Sequence, residues 1–183
     1  MCIFEYVKAD QIIPRYTYKD YASWEGEWEL IHGYPYAMSP SPRMKHQLIG
    51  KKIVRRIDDS LLNNEACNCQ AVYELDWIID ESTVVRPDIM VICGSLEGDF
   101  LRYPPTLIVE ILSETTRLKD RHTKFTLYEQ QGVKYYLLAD PAKETIEIFE
   151  LKDNYYRSND SLSVFDLHGK CEATIGFESV FTV

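Results

Sequence analysis

The chain has 183 residues, of which 45% are hydrophobic and 27% charged, and its formal net charge is −9. That balance fits a single globular domain whose core needs no disulfides; no apolar run approaches the ~20 residues of a membrane span. The first residues, Met1 to Asp10, lack the basic start and apolar stretch of a signal peptide, so the expected location is the cytoplasm. The negative charge weighs against avid nucleic-acid binding through phosphate neutralisation alone, but an enzyme that meets a scissile phosphate with the help of a metal ion tolerates it.

Residues 1 to 16 offer only an extended approach ending near Pro14. Thr17 is a good cap for a short helix reaching about Ser23, accepting from a backbone N–H three residues on. Trp28 to Ile31 and Tyr34 to Met38, separated by His32-Gly33, predict a β-hairpin with Glu29 on one face of its first strand. Ser39-Pro40-Ser41-Pro42 breaks that strand and suits the start of a helix from Arg43 to about Leu62. Met44, Leu48, Ile49, Ile53, Ile57 and Leu61 give this helix one apolar face. Its other face is basic, with Arg43, Lys45, Lys51, Lys52, Arg55 and Arg56 against Asp58 and Asp59. Such a face can track a phosphate backbone, Lys45, Lys52 and the nearby His46 being the candidate contacts, or it can be an ordinary solvated surface.

Asn63-Asn64 ends the helix. Gln70 to Ile79 is expected to pair with the strand from Val84 across Asp80-Glu81-Ser82-Thr83, with Glu74 and Asp76 on its solvent side. Val84 to Ile92 and Leu107 to Leu112 read as buried strands, yet each carries a carboxylate, Asp88 in the first and Glu110 in the second. A bare carboxylate among Ile and Val is costly unless something pairs with it. Opposed side chains on paired strands lie about 5 Å apart at Cβ. If these strands pair, the two acids can share a divalent cation. The fourteen-residue link from Cys93 to Thr106 is too long for a tight hairpin, so the pairing is an expectation.

Ser113 is a turn or cap residue before a helical pattern from about Leu118 to Gln131, closed by Gly132. Asp120, Lys124 and Tyr128 share one face of that helix. Lys124 can either pair with Asp120 at the surface or reach back towards the carboxylates. Tyr135 to Ala139 is a short strand, Asp140 to Lys143 a turn and Thr145 to Leu151 an alternating strand. Residues 152 to 183 read as further edge strands without chemistry. Cys2, Cys67, Cys69, Cys93 and Cys171 are an odd, scattered set expected to be reduced thiols. Cys67-x-Cys69 has no second pair at zinc-site spacing, and His32, His46, His122 and His168 form no ligand cluster.

Pro87-Asp88, Glu110-Ile111-Leu112-Ser113 and Asp120-x-x-x-Lys124-x-x-x-Tyr128-x-x-x-Gly132-Val133-x-x-Tyr136 together resemble the Uma-two family of endonucleases, a branch of the PD-(D/E)XK restriction-endonuclease-like superfamily. Glu29-Leu30-Ile31-His32-Gly33 and His46 also fit, so the resemblance covers about residues 17 to 150. The superfamily lysine would fall at Leu112; Lys124 matches the position to which it has migrated in this branch. The resemblance implies an α+β restriction-endonuclease-like core, a central mixed sheet flanked by helices. It also implies a catalytic set of Asp88, Glu110, Lys124 and Glu29, and one Mg²⁺ or Mn²⁺ held by Asp88, Glu110 and the Ile111 carbonyl. The expected activity is hydrolysis of DNA phosphodiester bonds, with no membrane partner and with dimerisation by fold analogy. The competing reading is a catalytically inactive nuclease fold used for binding or dimerisation, which the 13 tyrosines would also suit. A Cys or Ser nucleophile finds no supporting His spacing.

Overall fold

The computed structural model describes residues 13–38, 43–62 and 67–182. The expected strand break at Ser39 to Pro42 and helix end at Asn63-Asn64 lie outside them, as does Cys2. Helix α1 (Tyr18–Tyr21) is capped as its sequence predicts: the Thr17 hydroxyl accepts from the Asp20 N–H, and the Asp20 carboxylate takes the Thr17 N–H at 2.8 Å. Strands β1 (Trp28–Ile31) and β2 (Tyr34–Ala37) form the expected hairpin. Its two turn residues, His32 and Gly33, have φ of 53° and 82°, as a right-twisted two-residue connection requires.

Helix α2 (Met44–Leu62) buries Ile49, Ile53, Ile57 and Leu61, a stripe at intervals of four, whereas Met44, expected on the same face, is 78% exposed. The stripe packs on Ile89, Val91, Leu107, Val109 and Ile111 of the main sheet. Ile53→Ala is therefore expected to cost about 2–5 kcal/mol of unfolding free energy in a urea titration. A cost of a few tenths would show that the helix is not seated there.

Four short strands follow: β3 (Cys69–Tyr73), β4 (Trp77–Asp80), β5 (Thr83–Val85) and β6 (Ile89–Cys93). The expected hairpin forms in two parts, β4 pairing antiparallel with β5 across Glu81-Ser82 and β3 with β6 farther along the same arms. β4 and β5 join the first hairpin in a four-stranded sheet of order β2-β1-β5-β4, and β3 pairs with β6 in a second sheet. Both arms are broken by their residues: Glu74 turns at φ 52°, and Pro87 has no N–H to give a ladder. The break also swings Asp76 inward, against the expectation that it faces solvent. Asp76 is 6% exposed and takes bonds from Arg86 Nε at 2.6 Å and the Tyr21 hydroxyl at 2.8 Å.

β7 (Leu107–Ile111) pairs antiparallel with β6, so the long link does join neighbouring strands. β8 (Tyr135–Asp140) lies parallel to β7, followed by β9 (Thr145–Lys152) and β10 (Tyr155–Ser158), giving the six-stranded order β10-β9-β8-β7-β6-β3. The parallel pair needs a crossover. A π-helical turn, Lys119–Lys124, supplies it and runs directly into α3 (Phe125–Gln130), closed at Gly132 with φ 76°. Nothing in the apolar pattern predicts the wider winding. Phe125 and Tyr128 fasten the crossover to the sheet, Phe125 against Phe149 at 5.0 Å and Tyr128 against Tyr136 at 5.2 Å between ring centroids. Beyond β10 the chain departs from expectation. β11 (Val164–His168) and β12 (Cys171–Thr174) form a separate hairpin whose Phe165, Leu167, Cys171 and Ala173 pack into the α2 core.

Four cysteines meet, contrary to the reading as scattered thiols. Cys69 and Cys93 are register partners on β3 and β6 and form one disulfide, and Cys67 forms a second with Cys171, 104 residues away. No helix among the described residues is long and apolar enough to cross a membrane.

Candidate active site

The pairing of β6 with β7 sets Ile89 opposite Val109, and the same register carried one step further sets Asp88 opposite Glu110. Asp88 is not inside a strand as expected; it stands in the break between β5 and β6. The break makes the acid tolerable. Its side chain keeps 22% exposure, and its Oδ2 accepts the Ile111 N–H at 2.7 Å. Glu110, on a strand that is buried throughout, keeps only 4%.

Lys124 reaches back over the sheet. Its ammonium, 3% exposed, lies 2.9 Å from Glu110 Oε1, 2.7 Å from Glu29 Oε1 and 3.9 Å from Asp120 Oδ1. Glu29 is fully buried. It comes from the other sheet and also accepts from the Arg86 N–H at 3.0 Å and from the Lys119 ammonium. The Tyr128 hydroxyl donates to Glu110 Oε1 at 2.9 Å. Asp120, Lys119 and Tyr128 are thus members of the cluster that sequence reasoning left out of the site. The four-residue spacing put Asp120 and Tyr128 on the Lys124 face, but nothing in it reveals Lys119. The π-helical winding brings Asp120 and Lys124 inward together, each 2% exposed, and the Tyr136 hydroxyl ties the turn to β8 through the Asp120 carbonyl at 2.9 Å.

Three buried carboxylates around one buried ammonium leave negative charge in excess, and the titrations divide accordingly. Burial raises the Glu29 carboxyl, but the charges of Lys124 and Lys119 outweigh it and hold the group below its usual range. Glu110 goes the other way: burial first, then the charges of Asp120, Asp88 and Glu29, push it up to about 8 despite Lys124. Asp120 is raised, again chiefly by burial. Burial would lower Lys124, but Glu110, Glu29 and Asp120 drive it well above its ordinary value. The ammonium is thus committed first to Glu29, and Glu110 is the acid that keeps a proton near neutrality.

His46 does reach the site, its Nε2 3.3 Å from Asp88 Oδ2. Burial disfavours its charge, but the bond to Asp88, the charges of Asp88 and Glu74 and a bond to the Ile111 backbone raise its pKa. These groups line a cleft of about 850 Å³ with six Lys or Arg and seven Asp or Glu on its walls, so the overall negative charge is not concentrated there. Lys45 lies on its rim, donating to the Pro141 carbonyl at 2.9 Å and 3.6 Å from Glu144. Lys52 does not line the cleft; its ammonium donates to the carbonyls of Ser179 and Thr182, covering the C-terminal segment.

A mixed sheet with an acid at the strand break, a second acid opposite it and a lysine returning from the crossover defines a restriction-endonuclease-like α+β domain. The family model described as "Putative restriction endonuclease", Uma2, matches residues 17–176, and the chain belongs to that family. Its fold is similar to the crystal structure of a putative nuclease belonging to DUF820 from Anabaena variabilis ATCC 29413, with a TM-score of 0.70 at 17% identity over 91% of this chain and 97% of the other. It is also 25% identical over 149 residues to Uncharacterized protein slr1290 of Synechocystis sp., covering 77% of each chain.

Proposed function

We propose that this member of a nuclease family is a divalent-metal-dependent endonuclease that hydrolyses phosphodiester bonds in DNA. The observation that carries the reading is the convergence of Asp88, Glu110 and Lys124 at one cleft, where Asp88 and His46 are reached by solvent and, among the described residues, no aromatic side chain lines the cleft.

The donor set fits the ion that the resemblance implies. The carboxylates of Asp88 and Glu110 and the backbone of Ile111 are hard oxygen donors suited to Mg²⁺ or Mn²⁺. The raised Glu110 marks a deficit of positive charge that a divalent cation would relieve. When bound, the ion would polarise the phosphate and make water easier to deprotonate. The protein supplies the rest. Lys124 and Tyr128 hold Glu110 in one orientation, His46 and the Ile111 N–H hold Asp88, and the ammonium groups of Lys124 and Lys119 offset charge growing on the phosphoryl oxygens. With one excess negative charge on its walls, the cleft becomes net positive once a divalent cation is present, which suits a DNA backbone.

The test is purified protein with supercoiled plasmid, single-stranded DNA and RNA, each with Mn²⁺, with Mg²⁺ and with EDTA. Metal-dependent nicking of the plasmid is the expected result. Cleavage that persists in EDTA, or no cleavage of any substrate with either metal, would overturn the reading; cleavage of RNA alone would move the substrate class.

A further inference from the structure

We propose that Cys67, Cys69, Cys93 and Cys171 form a structural zinc site, loaded when the four sulfurs are reduced. Two unrelated disulfides would have no reason to share a location, but these do: the sulfurs of Cys67, Cys69 and Cys171 all lie within 4.8 Å of one another, and Cys93 is joined to Cys69. Among the described residues this is the one group of three or more His, Cys, Asp or Glu side chains with ligand atoms so close together. Zinc–sulfur bonds of about 2.3 Å in a tetrahedron separate the sulfurs by about 3.8 Å, so three of the four sulfurs already lie near that spacing, and Cys93 joins them once its bond to Cys69 is reduced. A set made only of sulfur selects a soft or borderline cation over the Mg²⁺ or Mn²⁺ suited to the acid cleft. The sequence concealed the set because its second pair is split between β6 and the C-terminal hairpin.

The site is remote from the cleft. Cys69–Cys93 closes one end of the β3–β6 ladder, and Asp88 follows the other end, five residues away along β6, or about 16 Å. Its ligands come from β3 and the residues before it, from the end of β6 and from the start of β12. A zinc ion there would pin the β11–β12 hairpin to the six-stranded sheet beside α2. Loading balances as follows: reducing the two disulfides takes four electrons from two equivalents of phosphine, each oxidised to its oxide with the oxygen of one water, and the four protons of those two waters complete the thiols; binding Zn²⁺ to the four thiols then releases up to four protons.

The test is full-length protein reduced with a phosphine under argon, loaded with Zn²⁺ or Co²⁺, freed of loose metal on a desalting column and analysed by atomic emission. One ion per chain is expected, with the intense sulfur-to-cobalt charge-transfer absorption of a tetrahedral thiolate site. Cys171→Ser should lose the retained ion and that absorption; should it fail to fold, Cys93→Ser is read by the same cobalt spectrum. Reduced, folded protein that retains no metal overturns the proposal, as does a retained ion without the thiolate absorption or one unaffected by either substitution. None of these outcomes bears on the nuclease reading, whose metal is measured by plasmid cleavage.

Discussion

Glu110→Gln should abolish metal-dependent nicking while making the metal-free protein more stable in mild alkali. The substitution keeps the shape of the side chain and removes the charge that would hold a divalent cation, so a loss of about a thousandfold, corresponding to about 4 kcal/mol, is expected in cleavage rate. The stability effect follows from titration. A carboxyl whose folded pKa stands at about 8, against an ordinary value of 4.5, binds its proton more tightly when folded. The contribution of Glu110 to wild-type stability therefore falls as pH rises from about 5 to about 8, and levels off above. Glutamine does not titrate. In EDTA its advantage over wild type should be absent near pH 4 and grow to on the order of 1–3 kcal/mol by pH 9, read from urea unfolding across the range. Equal pH profiles for the two proteins would mean that Glu110 is not strained, and retained nicking would remove it from the mechanism.

Lys124→Met should be the most destabilising single change in the cleft. A surface pair with Asp120 would be worth only a few tenths of a kcal/mol. The buried ammonium instead faces Glu110, Glu29 and Asp120, and its removal leaves three enclosed acids opposed only by Lys119, which touches Glu29. Breaking such a buried set costs about 3–5 kcal/mol. Adding Glu29→Gln to Lys124→Met should recover part of that loss, because the acid that the ammonium chiefly holds in its charged form then becomes neutral; the coupling is read from a double-mutant cycle in urea. Additive losses would show that the two groups do not share the buried charge. Because Lys124 supports the fold, a drop in its variant's activity counts as catalytic only after correction for the folded fraction.

The acids stood out in the sequence because charge inside an apolar strand is costly and so demands a partner, a premise that holds for Glu110 but not for Asp88, which sits in the break before β6. The family spacing added Lys124, Glu29 and His46, and the structure brings all three to the same cleft. What stayed hidden depends on backbone geometry that residue types only weakly encode. The division of one expected hairpin between two sheets turns on the positive φ of Glu74 and on Pro87, and it decided that Asp76 is buried. The π-helical turn holds Asp120 inward and Lys119 against Glu29, and its winding is not marked by the residue types in it. Lys52 looked like a phosphate contact because charge patterning cannot foresee that the last residues of the chain fold over that part of α2.

Glu29 belongs to the small sheet, Glu110 to the large one, and Lys124 bolts them together from the crossover. A substrate phosphate that competed for that ammonium would therefore slacken the join between the two sheets, so that the scaffold around the cleft loosens as the cleft fills.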